Sequence, residues 1–326
     1  MSTLTEIANL LRRERRVLAI SHVAPDGDAI GSLLGFGWLL RSSNPDAFAQ
    51  STSKLTLACA DPVPAQYQWL PGASEIIDDP AAGPWDVIVG LDASDGARLG
   101  SAFRPTDYDD ATIVIIDHHI TNLHFGTLNH IDPAAVATSQ IMVELADALG
   151  APISREAATC LLTGLVTDTL GFRTSNVTPQ VMAVAMRLME AGANLAEITE
   201  RTLNHKPLNT LRLWGQALAT LQIDGRVVWA TITRQMRDQV DAPPNGDGGL
   251  VSQLINAPEA VLAAVFSETA EGKIEISFRA KSGYDVSQIA LSLGGGGHPQ
   301  ASGCTIVGLL ADAEARVLPM MLQAAA

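Results

Sequence analysis

Four short segments of the chain, "RVLAIS" (16–21), "KLTLACA" (54–60), "WDVIVGLD" (85–92) and "TIVIIDHH" (112–119), have apolar interiors that run on instead of alternating with polar residues. A strand with one wet face alternates; a continuous run needs burial on both faces, which a parallel sheet inside an α/β sandwich provides. Between and after these runs, "AIGSLLGFGWLLRS" (29–42), "ATSQIMVELADALG" (137–150), "SREAATCLLTGLVTD" (154–168) and "TPQVMAVAMRLMEAGA" (178–193) read as helices. The pattern predicts an α/β fold, with a larger N-terminal domain over 1–193 built on a mainly parallel sheet flanked by helices.

The texture then changes. The segment 194–222, "NLAEITERTLNHKPLNTLRLWGQALATLQ", is helical, more polar and interrupted by Pro207, which predicts a helical connector. Over 223–326, "RVVWATIT" (226–233), "AVLAAVFSE" (260–268) and "KIEISFRA" (273–280) predict strands of a smaller C-terminal α/β domain, and "DAPPNGDGG" (241–249) predicts an exposed loop. A chain of 326 residues has room for two such domains, and 47% hydrophobic with 17% charged residues describes packed cores, not disorder.

Several classes are excluded at this level. No apolar run is long enough to span a membrane, and the amphipathic start "MSTLTEIANLLRRERR" lacks a signal-peptide core, so a cytoplasmic protein is expected. Cys59, Cys160 and Cys304 are far apart among small or apolar neighbours, which predicts buried thiols and neither a disulfide framework nor a zinc cluster. Net charge is −14 with no basic stripe, against tracking along a long nucleic acid. Small anionic substrates fit if cations are supplied locally.

The apolar runs end in a recurring way. "VLAI" is followed by "SHVAPDGDAIGS", carrying His22, Asp26 and Asp28; "VIVGL" by Asp92; "TIVII" by Asp117, His118 and His119; the helical "CLLTGLV" by Asp168 in "TDT". Taken singly, "PDGD" is a turn sequence and Asp92 a helix cap for "SDGARLG". Jointly they are more telling, because the carboxyl ends of parallel strands share one edge of the sheet, where ligands bind. Carboxylates gathered there repel one another strongly, and two divalent cations would cancel four negative charges. Carboxylate and imidazole without thiolate suit manganese first, then magnesium or cobalt. Paired metals about 3.5–4 Å apart are a standard arrangement for displacement at phosphorus.

"HVAPDGDAIGS", "LDASD", "DHH" and "TDT" resemble, in order, the four motifs of the DHH phosphoesterase family, and "LGGGGHPQASGC" (293–304) resembles the signature of its DHHA1 C-terminal domain. Within that family, "DTLGFRTSNVTP" (168–179) is similar to the bifunctional oligoribonuclease and 3′-phosphoadenosine-5′-phosphate (PAP) phosphatase type. The resemblance implies one metal on His22, Asp26 and Asp92, and a second on Asp28, Asp92, His118 and Asp168. It implies that Asp117 orients a neighbouring histidine and that His119 meets the scissile phosphate. Arg279 and His298, with Gly295, Gly296 and Gly297, would grip the substrate, helped by a helix starting at His298. Leu170, where relatives have glycine, and "HPQASG" in place of "HKNAAG" depart from the pattern and bear on substrate preference.

The activity so implied is hydrolysis of short oligoribonucleotides and pApA-type dinucleotides to mononucleotides, and of PAP to AMP, with no membrane partner; a homodimer is compatible with it. Cyclic-dinucleotide phosphodiesterase is the alternative, ahead of a manganese inorganic pyrophosphatase and of an inactive nucleotide-binding protein.

Overall fold

In a computed structural model of the chain, β1 (Arg16–Ser21) lies at the middle of a six-stranded sheet with β2 (Lys54–Cys59) on one side and β4 (Val87–Leu91) on the other. Beyond β2 comes β3 (Ile76–Ile77); beyond β4 come β5 (Thr112–Asp117) and β6 (Leu128–Ile131). Every pairing is parallel. The described residues are 2–13, 16–43, 45, 54–80, 83–107, 111–204, 206–243 and 246–326. Part of the amphipathic start (residues 1, 14 and 15) lies outside them.

The continuous apolar runs do what they require. Val17, Ala19, Val89, Val114 and Ile116 point into a core shared with the helices α1 (Leu4–Leu11), α2 (Gly27–Ser43), α3 (Thr138–Leu149), α4 (Arg155–Asp168) and α5 (Pro179–Glu190). Leu18, Ile20, Ala58 and Ile88 point the other way, against Leu99 and Ala102 of a short 3-10 segment and against Phe103 and Phe125. Both faces of the sheet are thus dry, but the α-helices gather on one and a 3-10 turn with aromatic loops closes the other.

α2 is apolar around nearly its whole circumference and is buried accordingly. Gly27, Gly31 and Gly35 recur every fourth residue and face α4. A Cβ on Gly31 would stand 2.5 Å from the Cys160 carbonyl oxygen and 2.9 Å from Gly164 N. From the α4 side, a Cβ on Gly164 would stand 2.4 Å from Asp28 Oδ1. The two backbones therefore touch, and that contact draws the start of α2 against α4.

The chain divides into two compact units, Met1–His205 and Lys206–Ala326. The division runs through the segment expected to be a connector. α6 (Leu195–Thr199) delivers Ile198 to the first core, whereas α7 (Leu208–Leu218) delivers Leu213 and Ala217 to a core of the second unit. Each half has an apolar stripe that finds its own core, so amphipathicity overrides the polar average of the segment.

The second unit has its own six-stranded sheet, in the order β11 (Gly296–His298), β12 (Ala301–Val307), β10 (Lys273–Ala280), β9 (Leu262–Glu268), β8 (Val227–Ile232) and β7 (Gln222–Asp224). β8 and β9 are parallel and the other pairs antiparallel. Phe266, Ile276 and Phe278 pack with α10 (Ser287–Ser292) and α11 (Leu310–Ala325); Val228, Ala230 and Val265 pack with α7, α8 (Arg234–Val240) and α9 (Val251–Leu254).

Two expectations change here. The loop 241–249, whose residues 244 and 245 lie outside the described ones, is not simply exposed: Asp247 is buried and accepts from Gly249 N (2.8 Å) and Val251 N (2.9 Å). Nor does a helix start at His298. That residue ends β11, with Gly296 opposite Gly303 and His298 opposite Ala301.

The helix contact gives a direct test. Gly31→Ala should destabilise the protein by about 1–3 kcal/mol, since backbone must move to admit one methyl group. Gly215→Ala, on α7 with nothing within 4 Å of its Cβ position, should instead stabilise by about 0.5–1 kcal/mol. Urea midpoints of the two variants would shift in opposite directions.

Candidate metal centre

β1 pairs with β2 on one side and β4 on the other, so the connections leaving its carboxyl end part there and open a crevice. His22 follows β1 directly and is almost wholly buried. Asp26 then turns the chain into α2, its Oδ1 accepting from Asp28 N and Ala29 N at 3.0 Å each. It is a cap as well as a member of the site. Asp92 follows β4 in a left-handed conformation, φ 60°. The capping role that "SDGARLG" suggested for Asp92 falls to Asp95, whose side chain accepts from Arg98 N. Asp117 ends β5, His118 and His119 follow it, and Asp168 is the last residue of α4.

The first unit brings all eight of these residues together. His22 Nε2 lies 3.9 Å from Asp26 Oδ1 and 3.6 Å from Asp92 Oδ2. His118 Nε2 lies 3.6 Å from Asp92 Oδ1 and 3.3 Å from Asp168 Oδ2. Asp92 therefore turns one oxygen to each histidine. Asp28, His118 and Asp168 offer atoms within 4.8 Å of one another, as do His22, Asp26 and Asp92.

The opposite ring nitrogens fix the tautomers. His22 Nδ1 is 2.8 Å from the Val23 carbonyl and His118 Nδ1 is 3.3 Å from that of Ala135. A carbonyl accepts, so Nδ1 carries the proton and Nε2 turns its lone pair to the acids. Arg98 Nη2 also stands 3.1 Å from His22 Nδ1, but the nearer carbonyl is the better partner. Separations of 3.3–3.9 Å exceed hydrogen-bond length. They suit two donors on one cation, each bonded at about 2.0–2.2 Å. The donor set thus fits divalent cations, and the cluster can bind them.

Asp117 is arranged differently. It is fully buried; Oδ1 accepts from His118 N (2.8 Å) and His119 Nδ1 (2.7 Å), and Oδ2 accepts from Asn122 Nδ2 (2.7 Å). Asn122 also donates to the Ala93 carbonyl at 2.9 Å, tying the loop after β5 to the loop after β4. Thr138 and Ser139, at the start of α3, reach the site as well: their N–H groups donate to Asp28 at 2.6 and 2.9 Å, and the Thr138 hydroxyl donates to Asp92 Oδ1 at 2.9 Å. Asn122, Thr138 and Ser139 were not among the expected site residues. A polar residue at a predicted helix start was the available signal for the pair at α3; a side-chain amide in a loop offered none.

The electrostatics follow from burial. Desolvation, then the charge of Asp92, raises the Asp28 carboxyl well above the usual range. Desolvation followed by Asp28 and Asp26 does the same to Asp168. Asp92 goes the other way: burial opposes its charge, but in metal-free protein positive charge on His22 and then on His118 holds it below the usual range. Burial also works against charge on His119, yet the hydrogen bond to Asp117 and the charges of Asp92, Asp117 and Asp28 push it up to about 9. After Asp168 the backbone is left-handed at Leu170 (φ 50°), Gly171 (φ 75°) and Phe172 (φ 63°). A glycine at 170 would adopt this without strain.

The expected substrate residues lie in the second unit. Arg279 on β10 and His298 on β11 both sit opposite Ala301 of β12, so their side chains share one face of the sheet. Burial lowers the Arg279 pKa, with Asp247 opposing. Two of the glycines serve the hairpin itself: a Cβ on Gly295 would stand 2.1 Å from the Gly303 carbonyl, and one on Gly297 2.6 Å from that of Ala301.

This arrangement of a parallel sheet with an acid–histidine crevice, followed by a second mixed sheet, defines a class. The profile of the DHH family, N-terminal domain, matches residues 16–165 and that of the DHHA1 domain matches residues 224–325. The chain belongs to the DHH phosphoesterase family. It is 36% identical over 317 residues to the bifunctional oligoribonuclease and PAP phosphatase NrnA of Thermus thermophilus, covering 96% of this chain and 91% of that one. The NrnA of Bacillus subtilis is 25% identical over 306 residues, 93% of each chain. The crystal structure of an exopolyphosphatase-related protein from Bacteroides fragilis superposes with a TM-score of 0.88 at 25% identity, covering 98% of this chain and 95% of that one. Among the described residues no helix is long and apolar enough to cross a membrane.

The raised groups carry a pH prediction. In metal-free protein His119, Asp28 and Asp168 hold protons more tightly folded than unfolded. Their contribution to stability is present at low pH and lost as pH rises, for His119 between 6.5 and about 9. Metal-stripped protein should therefore melt lower at about pH 9 than at about pH 6.5. Cation uptake should release protons from the two acids, so affinity rises with pH. Titration calorimetry in two buffers of different ionisation enthalpy checks this; proton-neutral uptake would contradict it.

Proposed function

We propose that the protein is a phosphoesterase with two divalent cations that cleaves short oligoribonucleotides and pApA-type dinucleotides to mononucleotides, and PAP to AMP. The observation that carries the reading is Asp92, with Oδ2 turned to the His22 set and Oδ1 to the His118 set. Such a carboxylate is placed to be shared between two cations. In this reading His22, Asp26 and Asp92 hold one cation, and Asp28, Asp92, His118 and Asp168 the other. Manganese is the metal that all-carboxylate and imidazole ligation favours, with magnesium or cobalt as substitutes. When bound, such a pair lowers the pKa of water to near neutrality and offsets charge on phosphate oxygens.

The chain's own residues do the rest. Asp117 fixes the ring of His119 through Nδ1, which keeps a proton on that nitrogen and aims the imidazole. A His119 that holds its charge at neutral pH is suited to donate to a phosphate oxygen or to the leaving oxygen. In the second unit Arg279 and His298, on one sheet face, supply cationic and hydrogen-bonding groups for a nucleotide, with the backbone of Gly295, Gly296 and Gly297 beside them. The names of the NrnA relatives support oligoribonucleotides and PAP as substrates. Substrates stay short because the chain has a net charge of −14 and offers no stripe of cations to a long strand. A cyclic-dinucleotide phosphodiesterase remains the rival, with pyrophosphatase behind it.

Purified protein with Mn2+ should be given pApA, a four-residue RNA, PAP, cyclic di-AMP and pyrophosphate in separate reactions, and the products identified by chromatography. AMP is expected from pApA and PAP, and mononucleotides from the RNA. Turnover of pyrophosphate alone would overturn the assignment. Asp92→Ala should abolish both metal uptake and all activity. Arg279→Ala should raise KM for pApA by about tenfold or more, from loss of a charge-assisted contact, with kcat little changed; an unaltered KM would rule that role out.

A further inference from the structure

We infer that Thr138 is a positioning residue for the shared carboxylate: its hydroxyl fixes the rotation of Asp92, and so decides that one oxygen faces each cation set. The inference rests on the two-cation reading and extends it to a residue outside the ligand set.

α3 begins without a side-chain cap of its own, because its N-cap residue is Ala137. Its first two N–H groups are instead given to Asp28: Thr138 N donates to Oδ2 at 2.6 Å and Ser139 N to Oδ1 at 2.9 Å. This fork pins the backbone of Thr138. The side chain, fully buried, then donates from Oγ1 to Asp92 Oδ1 at 2.9 Å. A carboxylate accepts only, so the proton direction is settled, and burial removes competing water.

Asp92 needs such a restraint. It follows β4 with φ 60°, outside the extended conformation that would hold its side chain in the row of the sheet. Its Oδ1 lies 3.6 Å from His118 Nε2 and 3.7 Å from His119 Nδ1, and its Oδ2 lies 3.6 Å from His22 Nε2. These separations are too long for the histidines to lock the group by hydrogen bonds. Turning the carboxylate a quarter of the way about its Cβ–Cγ bond would remove both oxygens from both sets. Among the described residues, the hydrogen bond that opposes this rotation is the one donated by the Thr138 hydroxyl. α3 thereby connects an acid of the α2 turn with the acid after β4 through a single residue.

The test uses Thr138→Val, which keeps the shape and the N–H to Asp28 but removes the hydroxyl, and Thr138→Ser, which keeps the hydroxyl. Mn2+ titration of metal-free protein by calorimetry should show Thr138→Val binding the metal about 10–100-fold more weakly, the usual cost of losing a partner that orients a ligand. Thr138→Ser should restore most of that affinity. With pApA, kcat should fall in the valine variant while KM changes little. Two Mn2+ bound by Thr138→Val at wild-type affinity would overturn the inference. A serine variant as weak as the valine one would also overturn it, by assigning the effect to packing. If the valine variant fails to fold by circular dichroism, Thr138→Ala carries the same comparison. Wild-type protein that takes up no Mn2+ would defeat the two-cation reading itself, a result distinct from either of these.

Discussion

Like charges held together out of water set the terms for the first unit. Asp28, Asp92 and Asp117 are buried, and Asp168 stands beside them with its carboxyl raised. At a protein's effective dielectric, two carboxylates about 4 Å apart repel by several kcal/mol before desolvation is counted. The fold answers with fixed donors. Asp28 receives two N–H groups from the start of α3, Asp26 receives two from the start of α2, and Asp117 receives a backbone N–H, an imidazole and an amide. Among the described residues Asp92 has one hydroxyl and the edges of three imidazoles. Of Asp26, Asp28, Asp92 and Asp117, Asp92 has the fewest fixed donors, and it lies between the two donor sets, where cations would complete it.

The same need explains features that otherwise look like packing. The glycines of α2 admit α4 at backbone distance, and Gly164 lets Asp28 and Ser139 pass close to that helix. A larger residue there would hold the Asp28 turn and the Asp168 end of α4 apart. The left-handed residues Asp92, Leu170 and Phe172 cluster at the ends of elements that carry site residues. Strain of this kind, of order 1–3 kcal/mol at each residue, persists where surrounding structure enforces it. Here it turns the chain so that carboxylates meet at one edge.

Much of this was legible in the sequence, for a physical reason: apolar runs end sharply, and His22, Asp92 and Asp117 to His119 sit where the apolar residues stop. The parallel sheet of the first unit was legible from the same runs. What escaped was of two kinds. Thr138, Ser139 and Asn122 act through single hydrogen bonds made possible by tertiary approach, which leaves little local trace. The run Gly294 to Gly297 has no β-branched residue, so nothing marked it as the start of a strand; pairing with β12 decides its conformation. Within the segment 194–222, average polarity hid the apolar stripes of two different cores, carried by Ile198 on one side and Leu213 on the other.

The proposed activity depends on a pair of cations gathered by acids and imidazoles from distant parts of the chain. Crystals grown with Mn2+ and measured on both sides of the manganese absorption edge would test that most directly. Two anomalous peaks are predicted, on either side of the Asp92 carboxylate, one beside His22 and one beside His118. A single peak elsewhere, or none with the side chains in the same places, would contradict it.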